Sequence, residues 1–171
     1  LENMALANKK IQERESQFRS VFNGVNDAIL VETTEGKVLD VNARACKMFG
    51  WTYDEFLTKT LQDMVPPENR ALSAEARDED DLTVEHFETI NMRANGERFP
   101  VSVTGRIEEI GSEKRLLIAV RDITEQKKAE EELLKLSRAI TQSPAAIVIT
   151  DLKGTIEFVN PAFTRITGYT T

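Results

Sequence analysis

The segment GKVLDVNARACKMFGWT at residues 36–52 is repeated in outline as GTIEFVNPAFTRITGYT at residues 154–170. Gly36, Asn42 and Gly50 each recur 118 residues later, and no gap is needed between the copies. A pattern that returns at fixed spacing indicates two copies of one structural unit. Each copy predicts a turn at the first glycine, a short apolar strand ended by the asparagine, and a short helix that stops at the second glycine.

Length and composition restrict the class of protein. The 171 residues are 40% hydrophobic, enough for a core, and carry a net charge of -7, which argues against a nucleic-acid partner. No apolar run approaches the ~18 residues of a membrane span, so we expect no direct membrane contact in this segment. The single Cys46 excludes an internal disulfide and fits a cytoplasmic location. Because the sequence begins within a predicted helix and ends within a repeat, we expect it to be part of a longer protein.

Two long helices are predicted outside the first copy. Residues 1–22 contain no Gly or Pro, and Met4, Ile11 and Phe18 fall seven apart. This spacing fits a short dimer seam or an amphipathic helix that lies on its own sheet, and the residues do not decide between them. Residues 125–143 carry a second heptad pattern, which ends before Pro144 and is too short to be stable without a partner; its positions are Gln126, Ala129, Leu133, Leu136, Ile140 and Ser143.

Between these helices the first copy predicts a hairpin followed by short helices. Strands are expected at residues 27–33 and 38–41, and Asn42 is expected to cap a helix that runs to Phe49. Thr52 and Glu55 form a capping box. The neighbouring Trp51 and Phe56 form a hydrophobic staple around it, and a further helix is expected from residue 68 to about 76.

The second half of this copy predicts a three-stranded meander. Strands at residues 83–93 and about 97–107 flank Asn95-Gly96, a sequence typical of a two-residue hairpin turn. Residues 116–120 are apolar on both faces, so this strand should be central. The acidic run at residues 78–81 is interpreted as a solvated loop in preference to a metal site. At the end of the sheet, Asp122 or Thr124 is expected to cap the next helix.

Three motifs in this order resemble the PAS domain, a sensor module of bacterial and archaeal signalling proteins. They are Val-Asn with Gly-Trp-Thr at residues 41–42 and 50–52, the hairpin NGERFPV at 95–101, and Asp-Ile-Thr at 122–124. The last motif resembles the one that closes PAS domains in sensor kinases and diguanylate cyclases. The resemblance covers about residues 16–124 and again about 137–171, where the second copy would be cut off after its first helix. Arg44 and Trp51 depart from the small residue and the tyrosine that are usual in the family.

The resemblance implies an α+β fold, with a five-stranded antiparallel sheet of non-sequential order and short helices on one face. We therefore divide the chain into an N-terminal helix (1–22), a PAS domain (23–124), a linker or coiled-coil signalling helix (125–143) and the start of a second PAS domain (144–171). Residues 145–171 should be mobile or pack on a neighbouring chain, because a hairpin and a helix alone leave open edges. The residues expected to hold the fold locally are Asn42, Gly50, Trp51, Thr52 and Glu55.

The resemblance also implies a pocket between the short helices and the sheet. The same apolar positions would equally form a filled core, so the sequence leaves the pocket as a ligand site or as packing. The candidate pocket residues are Phe49, Phe56, Leu61, Met64, Phe87, Val101, Val103, Leu117 (or Leu116) and Ala119.

Cofactor and catalytic chemistry have little support in the residues. His86, the only histidine, falls on a predicted strand as a half-buried residue, whereas haem-binding relatives carry their axial histidine on the preceding helix. Cys46 lies outside the motif that binds flavin covalently, and noncovalent flavin beside Trp51 stays open. No phosphate loop, catalytic triad or metal cluster can be assembled, so this segment is not expected to be an enzyme.

The function that the resemblance implies is sensing or signal relay in a two-component-type protein. A small ligand, or a conformational change, would act through a dimeric helix on a downstream kinase, with Asp122 and Thr124 coupling the sheet to that helix. A homodimer would form through the N-terminal and linker helices. The alternatives are a dimerisation spacer that senses nothing and a PAS module of a diguanylate cyclase or phosphodiesterase.

Overall fold

The structure is a computed structural model, which describes residues 2–70, 83–110 and 113–169. The chain divides into two compact units, residues 1–124 and residues 125–171. The first unit contains α1 (Glu2–Gly24), β1 (Ala28–Thr33), β2 (Val38–Val41), α2 (Ala43–Phe49), α3 (Tyr53–Phe56), α4 (Leu61–Met64), a 3-10 turn (Pro67–Asn69), β3 (Thr83–Met92), β4 (Arg98–Ile110) and β5 (Glu113–Asp122). The second contains α5 (Thr124–Gln142), which begins at the last residue of the first unit, β6 (Val148–Thr150), β7 (Ile156–Val159) and α6 (Pro161–Thr167).

The sheet of the first unit has the order β2-β1-β5-β4-β3, and every neighbouring pair is antiparallel. This confirms the predicted α+β fold with a five-stranded, non-sequential antiparallel sheet. β5 lies at the centre, as its apolar sequence predicted, and pairs with β1 on one side and β4 on the other. Its side chains alternate between the two faces, so that Leu116, Ile118 and Val120 are buried while Leu117 and Ala119 are only half-buried on the other face.

The short helices pack their apolar side chains on the buried face of this sheet. Phe49, at the end of α2, is fully buried, and its ring lies 5.9 Å from Trp51, 5.6 Å from Phe56 and 5.7 Å from Phe99, measured between ring centroids. The Trp51 and Phe56 rings are themselves 5.2 Å apart, which confirms the predicted staple. Burial of such aromatic rings is worth about 1.5–3 kcal/mol each, so this cluster is a major source of the unit's stability.

The local signals predict the observed kinds of turn and cap, and the structure differs in the length of one loop. The Thr52–Glu55 capping box forms as predicted. The loop at Asn95-Gly96, in contrast, has three residues and not two, because the Arg93 N–H bonds to the Glu97 carbonyl and the Gly96 N–H to the Arg93 carbonyl. Gly96 has φ +83°, the left-handed conformation that closes such a three-residue loop and that glycine adopts without strain.

The N-terminal helix α1 contacts the rest of the first unit through its C-terminal turns. Phe22 is buried, and an Arg19 guanidinium nitrogen lies 3.1 Å from an Asp40 carboxylate oxygen. Further toward the N-terminus, the predicted seam residues Met4 and Ile11 are 70% and 62% exposed. None of the helices in the described ranges is both long enough and apolar enough to span a membrane.

The second unit repeats the hairpin and the helix of the first. β6 and β7 are antiparallel, and α6 follows directly, capped by Asn160. Few of its side chains are buried, chiefly Asn160 and Ala162, whereas Ile156 and Ile166 are more than half exposed. The expected helix at residues 68–76 lies mostly outside the described residues, as does the acidic run at 78–81.

Candidate functional site

Two places in the first unit could carry function: a cavity between helices and sheet, and the junction where β5 leads into α5. A third feature, an asparagine present in both units, ties each preceding long helix to its hairpin. Within the described ranges, His, Cys, Asp and Glu side chains form no group of three that could hold a metal ion.

The cavity lies over the buried face of the sheet and has a volume of about 40 Å³. Five of the predicted pocket residues line it: Phe49, Leu61, Met64, Phe87 and Val103. Phe56 and Val101 are fully buried in the adjoining core and do not line the cavity.

The prediction was wrong for Leu117 and Ala119, which lie in a shallow groove on the opposite face of the sheet. β5 presents Leu116, Ile118 and Val120 to the cavity instead, as the alternation of a strand requires. Leu116, which the sequence analysis gives as the alternative to Leu117, therefore lines the cavity.

Sequence reasoning also missed three polar cavity residues, because it searched for apolar positions alone. Glu32 on β1 is 1% exposed, and Thr89 and Asn91 on β3 are 7% and 5% exposed. Residues two apart on a strand share a face, so Thr89 and Asn91 lie on the same face of β3. Their spacing therefore indicates a pair of polar cavity residues, provided that this face is the buried one. The cavity is thus apolar with polar groups on two of its strands.

At the junction, the carboxylate of Asp122 joins two parts of the unit. One oxygen accepts a hydrogen bond of 2.7 Å from the Arg93 guanidinium, and the other accepts from the backbone N–H of Thr124 at 2.9 Å and its hydroxyl at 2.5 Å. Asp122 therefore forms an ion pair and caps α5 at the same time, whereas the sequence analysis predicts only the cap. Burial acts to raise the pKa of Asp122, but the hydrogen bonds from Thr124 and Arg93 outweigh it, and the pKa is lowered.

Arg93 extends this junction into the core. Its guanidinium also donates to the Met48 carbonyl in the last turn of α2, and its central carbon lies 3.7 Å from the centroid of the Phe99 ring. Next to the junction, buried Ile123 donates from its N–H to the Pro100 carbonyl at 3.1 Å. The end of β5 is consequently linked to α2 through Arg93 and to β4 through Ile123, and Asp122 in turn holds Thr124, the first residue of α5.

The asparagine of the repeat makes the same hydrogen bonds in both units. In the first, the Asn42 amide oxygen accepts from the N–H groups of Ile29 and Ala45, and its amide nitrogen donates to the carbonyls of Phe22 and Asp27, all at 2.9–3.0 Å.

Asn160 repeats this arrangement with residues each 118 positions later. Its oxygen accepts from the N–H groups of Ile147 and Phe163, and its nitrogen donates to the carbonyls of Ile140 and Ala145, at 2.9–3.1 Å. Ile140 in the last turns of α5 therefore corresponds to Phe22 in the last turns of α1. The helix that leaves the first unit is the entry helix of the second.

Other candidate residues of the sequence have ordinary surroundings. His86 is exposed, not half-buried as predicted, and its Nε2 lies 2.8 Å from the Ser102 hydroxyl oxygen. Cys46 packs at the edge of the core, where burial raises the pKa of its thiol and disfavours the reactive thiolate. Arg44, unusual for the family that the sequence resembles, donates to the Asn26 carbonyl at 2.9 Å.

Comparison with known proteins supports the resemblance noted in the sequence. A family model described as PAS domain matches residues 26–125, and a second PAS domain model matches residues 134–171. Among solved structures, the PAS domain of an HTR-like protein from Haloarcula marismortui superposes with a TM-score of 0.60 at 24% identity, covering 70% of this chain and 99% of that one. A PAS domain from a two-component sensor histidine kinase gives 0.58 at 21% identity, covering 65% and 98%.

Two curated relatives match nearly the whole chain. The methyl sulfide methyltransferase-associated sensor of Methanosarcina acetivorans is 28% identical over 170 residues, 92% of this chain and 16% of the relative. Sporulation kinase E of Bacillus subtilis is 25% identical over 158 residues, 90% of this chain and 21% of the relative. The chain thus spans about a fifth or less of the length of these proteins. It belongs to the PAS domain family, and its relatives include sensor and kinase proteins.

Proposed function

We propose that this chain is a sensory and relay module of a two-component-type signalling protein, which controls a downstream kinase through α5. The observation that carries the proposal is the double role of Asp122, whose two carboxylate oxygens bind Arg93 and the first residue of α5. The sensor and kinase among the relatives support a role in signalling. In this proposal the segment regulates, and catalysis belongs to a kinase domain elsewhere in the protein.

The relay would work as a competition between two geometries of the junction. Arg93 contacts the last turn of α2 and the ring of Phe99, so a change in the core would move its guanidinium. A displaced guanidinium would pull on the Asp122 carboxylate and weaken its cap on Thr124. A helix whose first turn is held in one state and released in the other can transmit a change in the sensor as a change in its tilt or rotation.

α5 is also suited to deliver a signal, because its far end is held by Asn160. The Ile140 carbonyl accepts from the Asn160 amide nitrogen as the Phe22 carbonyl accepts from Asn42. In this proposal one helix is therefore the output of the first PAS copy and the input of the second. Two PAS copies in series would pass a conformational change from one to the next through shared helices.

The same proposal includes a homodimer formed through α1 and α5. The seam residues Ile11 and Leu133 are 62% and 68% exposed. Sedimentation of the chain should therefore show a dimer that Ile11→Lys or Leu133→Lys weakens. Leu6 and Leu134, which are 69% and 50% exposed but lie off the seams, provide matched controls, and Leu6→Lys and Leu134→Lys should leave the dimer intact. Equal effects of seam and control variants would contradict a specific seam.

The competing function is a spacer that senses nothing and only keeps neighbouring helices in register. The observation in its favour is the small volume of the cavity, about 40 Å³, beside the buried apolar side chains of the core. A spacer and a sensor differ in one measurable respect: only in a sensor does a molecule bound in the cavity change the output of the full-length protein.

The experiment for the relay is autophosphorylation of the full-length protein with changes at Asp122. Asp122→Ala removes both the ion pair and the cap, and Asp122→Asn keeps a cap acceptor while it removes the charge that faces Arg93. Both should alter output or abolish its response to stimulus, and the unit should stay folded because Asp122 lies at the junction with its side chain partly exposed (24%), outside the apolar core. Glu125→Gln, which changes an exposed carboxylate that lies 2.9 Å from the Lys128 ammonium on the same helix, is the control. Unchanged output and response in both Asp122 variants would rule out this relay.

A further inference from the structure

The polar strip on β3 indicates what the cavity could bind. Thr89 and Asn91 are buried, share one face of the strand, and both line the cavity. Asn is disfavoured in strand interiors, where its amide needs hydrogen-bond partners. A buried Asn beside a buried Thr on a core-facing surface therefore calls for a partner in the cavity.

The hydrogen bonds of these two side chains are incomplete in complementary ways. The Asn91 amide oxygen is buried and has no hydrogen-bond partner among the residues that the structure describes. The Thr89 hydroxyl oxygen accepts one long bond of 3.4 Å from the Asn69 amide, which leaves its hydrogen available within the described contacts. Buried polar groups in native proteins are nearly always paired. A single group that both donates and accepts would complete both side chains.

The rest of the wall restricts the size and charge of a ligand. Phe49, Leu61, Met64 and Val103 present apolar surface, which favours an alkyl group and opposes an unpaired charge. Glu32 already has an interaction partner, so its carboxylate does not require a positively charged ligand. A volume of about 40 Å³ is several times the ~10–15 Å³ that one water requires, and admits only a few non-hydrogen atoms.

We propose that the cavity binds a small uncharged molecule with a hydroxyl group on a short alkyl chain. The hydroxyl donates to the Asn91 amide oxygen and accepts from the Thr89 hydroxyl, while the alkyl chain packs on the apolar wall. As a signal input this rests on the proposed sensory function, but binding itself can be tested without any output.

The test is titration of the isotope-labelled chain with 1-propanol, followed by amide NMR. We expect saturable, one-to-one shifts at residues 89, 91, 103 and 118, and weaker binding of 1-chloropropane, which has the chain but no hydroxyl. Asn91→Leu and Thr89→Val should each weaken 1-propanol binding by about tenfold, the effect of one net hydrogen bond, and Asn91→Leu should not lower the melting temperature. Thr104→Val, which changes an exposed threonine of β4 away from the cavity, should bind like the unaltered chain.

Three results would overturn the inference: linear, non-saturating shifts, equal binding of 1-propanol and 1-chloropropane, or tighter binding of propylamine in its charged form at neutral pH. The two cavity variants probe different atoms, so the test holds even if one of them fails to fold. Failure here is distinct from failure of the relay, because loss of signalling in the Asp122 variants does not require any alcohol to bind.

Discussion

The two PAS copies of this chain show the same local structure with and without a core. The amide of Asn42 and that of Asn160 make matching sets of four hydrogen bonds, and the turn glycines Gly36 and Gly154 have φ +86° and +87°. Burial differs sharply: Leu30 in β1 is 1% exposed, whereas its counterpart Val148 in β6 is 40% exposed. The hairpin and the helix thus form with the same hydrogen bonds in both copies, and the first copy adds β3 to β5, whose side chains complete a core with those of the hairpin and the short helices.

The largest expected effect comes from the core positions of the two copies. Phe49 is fully buried among three aromatic rings, and its counterpart Thr167 is exposed. Phe49→Ala should lower the free energy of unfolding of the first unit by about 3–5 kcal/mol, whereas Thr167→Ala should change stability by less than about 0.5 kcal/mol. Urea unfolding of both variants, followed by circular dichroism, measures the difference. Comparable losses would mean that the second copy has a core of its own in solution.

The next effect concerns the shared asparagine. Asn42→Ala leaves two N–H groups and two carbonyls without their partner, and should destabilise the first unit by about 3 kcal/mol without unfolding it. Asn160→Ala should abolish the protection of residues 145–168, because little burial compensates for the lost hydrogen bonds there. Hydrogen exchange of both variants gives the comparison. If residues 145–168 stay equally protected without Asn160, the hydrogen bonds of that residue do not hold the second copy.

A smaller effect on stability, which depends on pH, is expected at Asp27 in the first copy, because its counterpart in the second copy is Ala145 and carries no charge. Hydrogen bonds from Arg121, partly opposed by burial, lower the pKa of Asp27 in the folded state. A lowered pKa contributes stability that is present above the ordinary carboxyl pKa of about 3.9 and is lost as the pH falls through the folded-state pKa. Arg121 is well exposed, so solvent weakens the pair and the effect should be the smallest of the three.

The measurement is thermal unfolding of the first unit across acid pH. Asp27→Asn should be less stable than the unaltered chain at pH 7, and this difference should shrink as the pH falls below about 4. A difference that stays constant down to pH 2 would show that the Asp27 carboxylate contributes through packing and not through its charge.

The fold was readable from the sequence because its signals are local. The cap that Asn42 gives to α2, the Thr52–Glu55 box and the turn glycines each act within a few residues, and the apolar run of β5 correctly indicates a central strand. Contacts between distant segments had no such signal. The Arg93 partner of Asp122 lies 29 residues away, and nothing around it in the sequence distinguishes it from other surface arginines.

The candidate site was predicted in part, for a physical reason. A strand that is apolar on both faces gives no indication of which residues face the cavity, so the sequence wrongly predicts Leu117 and Ala119 there and offers Leu116 only as an alternative. The polar cavity residues were missed because burial of Thr89 and Asn91 depends on how β3 pairs with β4. Strand pairing, and not strand composition, determines which face of a strand is enclosed.

The measurement that tests the central claim most directly is hydrogen exchange of the first turns of α5, residues 124–130, in Arg93→Gln. Arg93 contacts Asp122, which in turn caps Thr124, so loss of the guanidinium should speed amide exchange at the start of α5. Arg93 and Thr124 are 31 positions apart in the sequence. Arg98 lies on the same hairpin as Arg93 and forms an exposed ion pair with Glu68. Arg98→Gln removes this pair and should leave the exchange of residues 124–130 unchanged. If the two variants exchange alike at residues 124–130, the junction does not couple the PAS core to its exit helix.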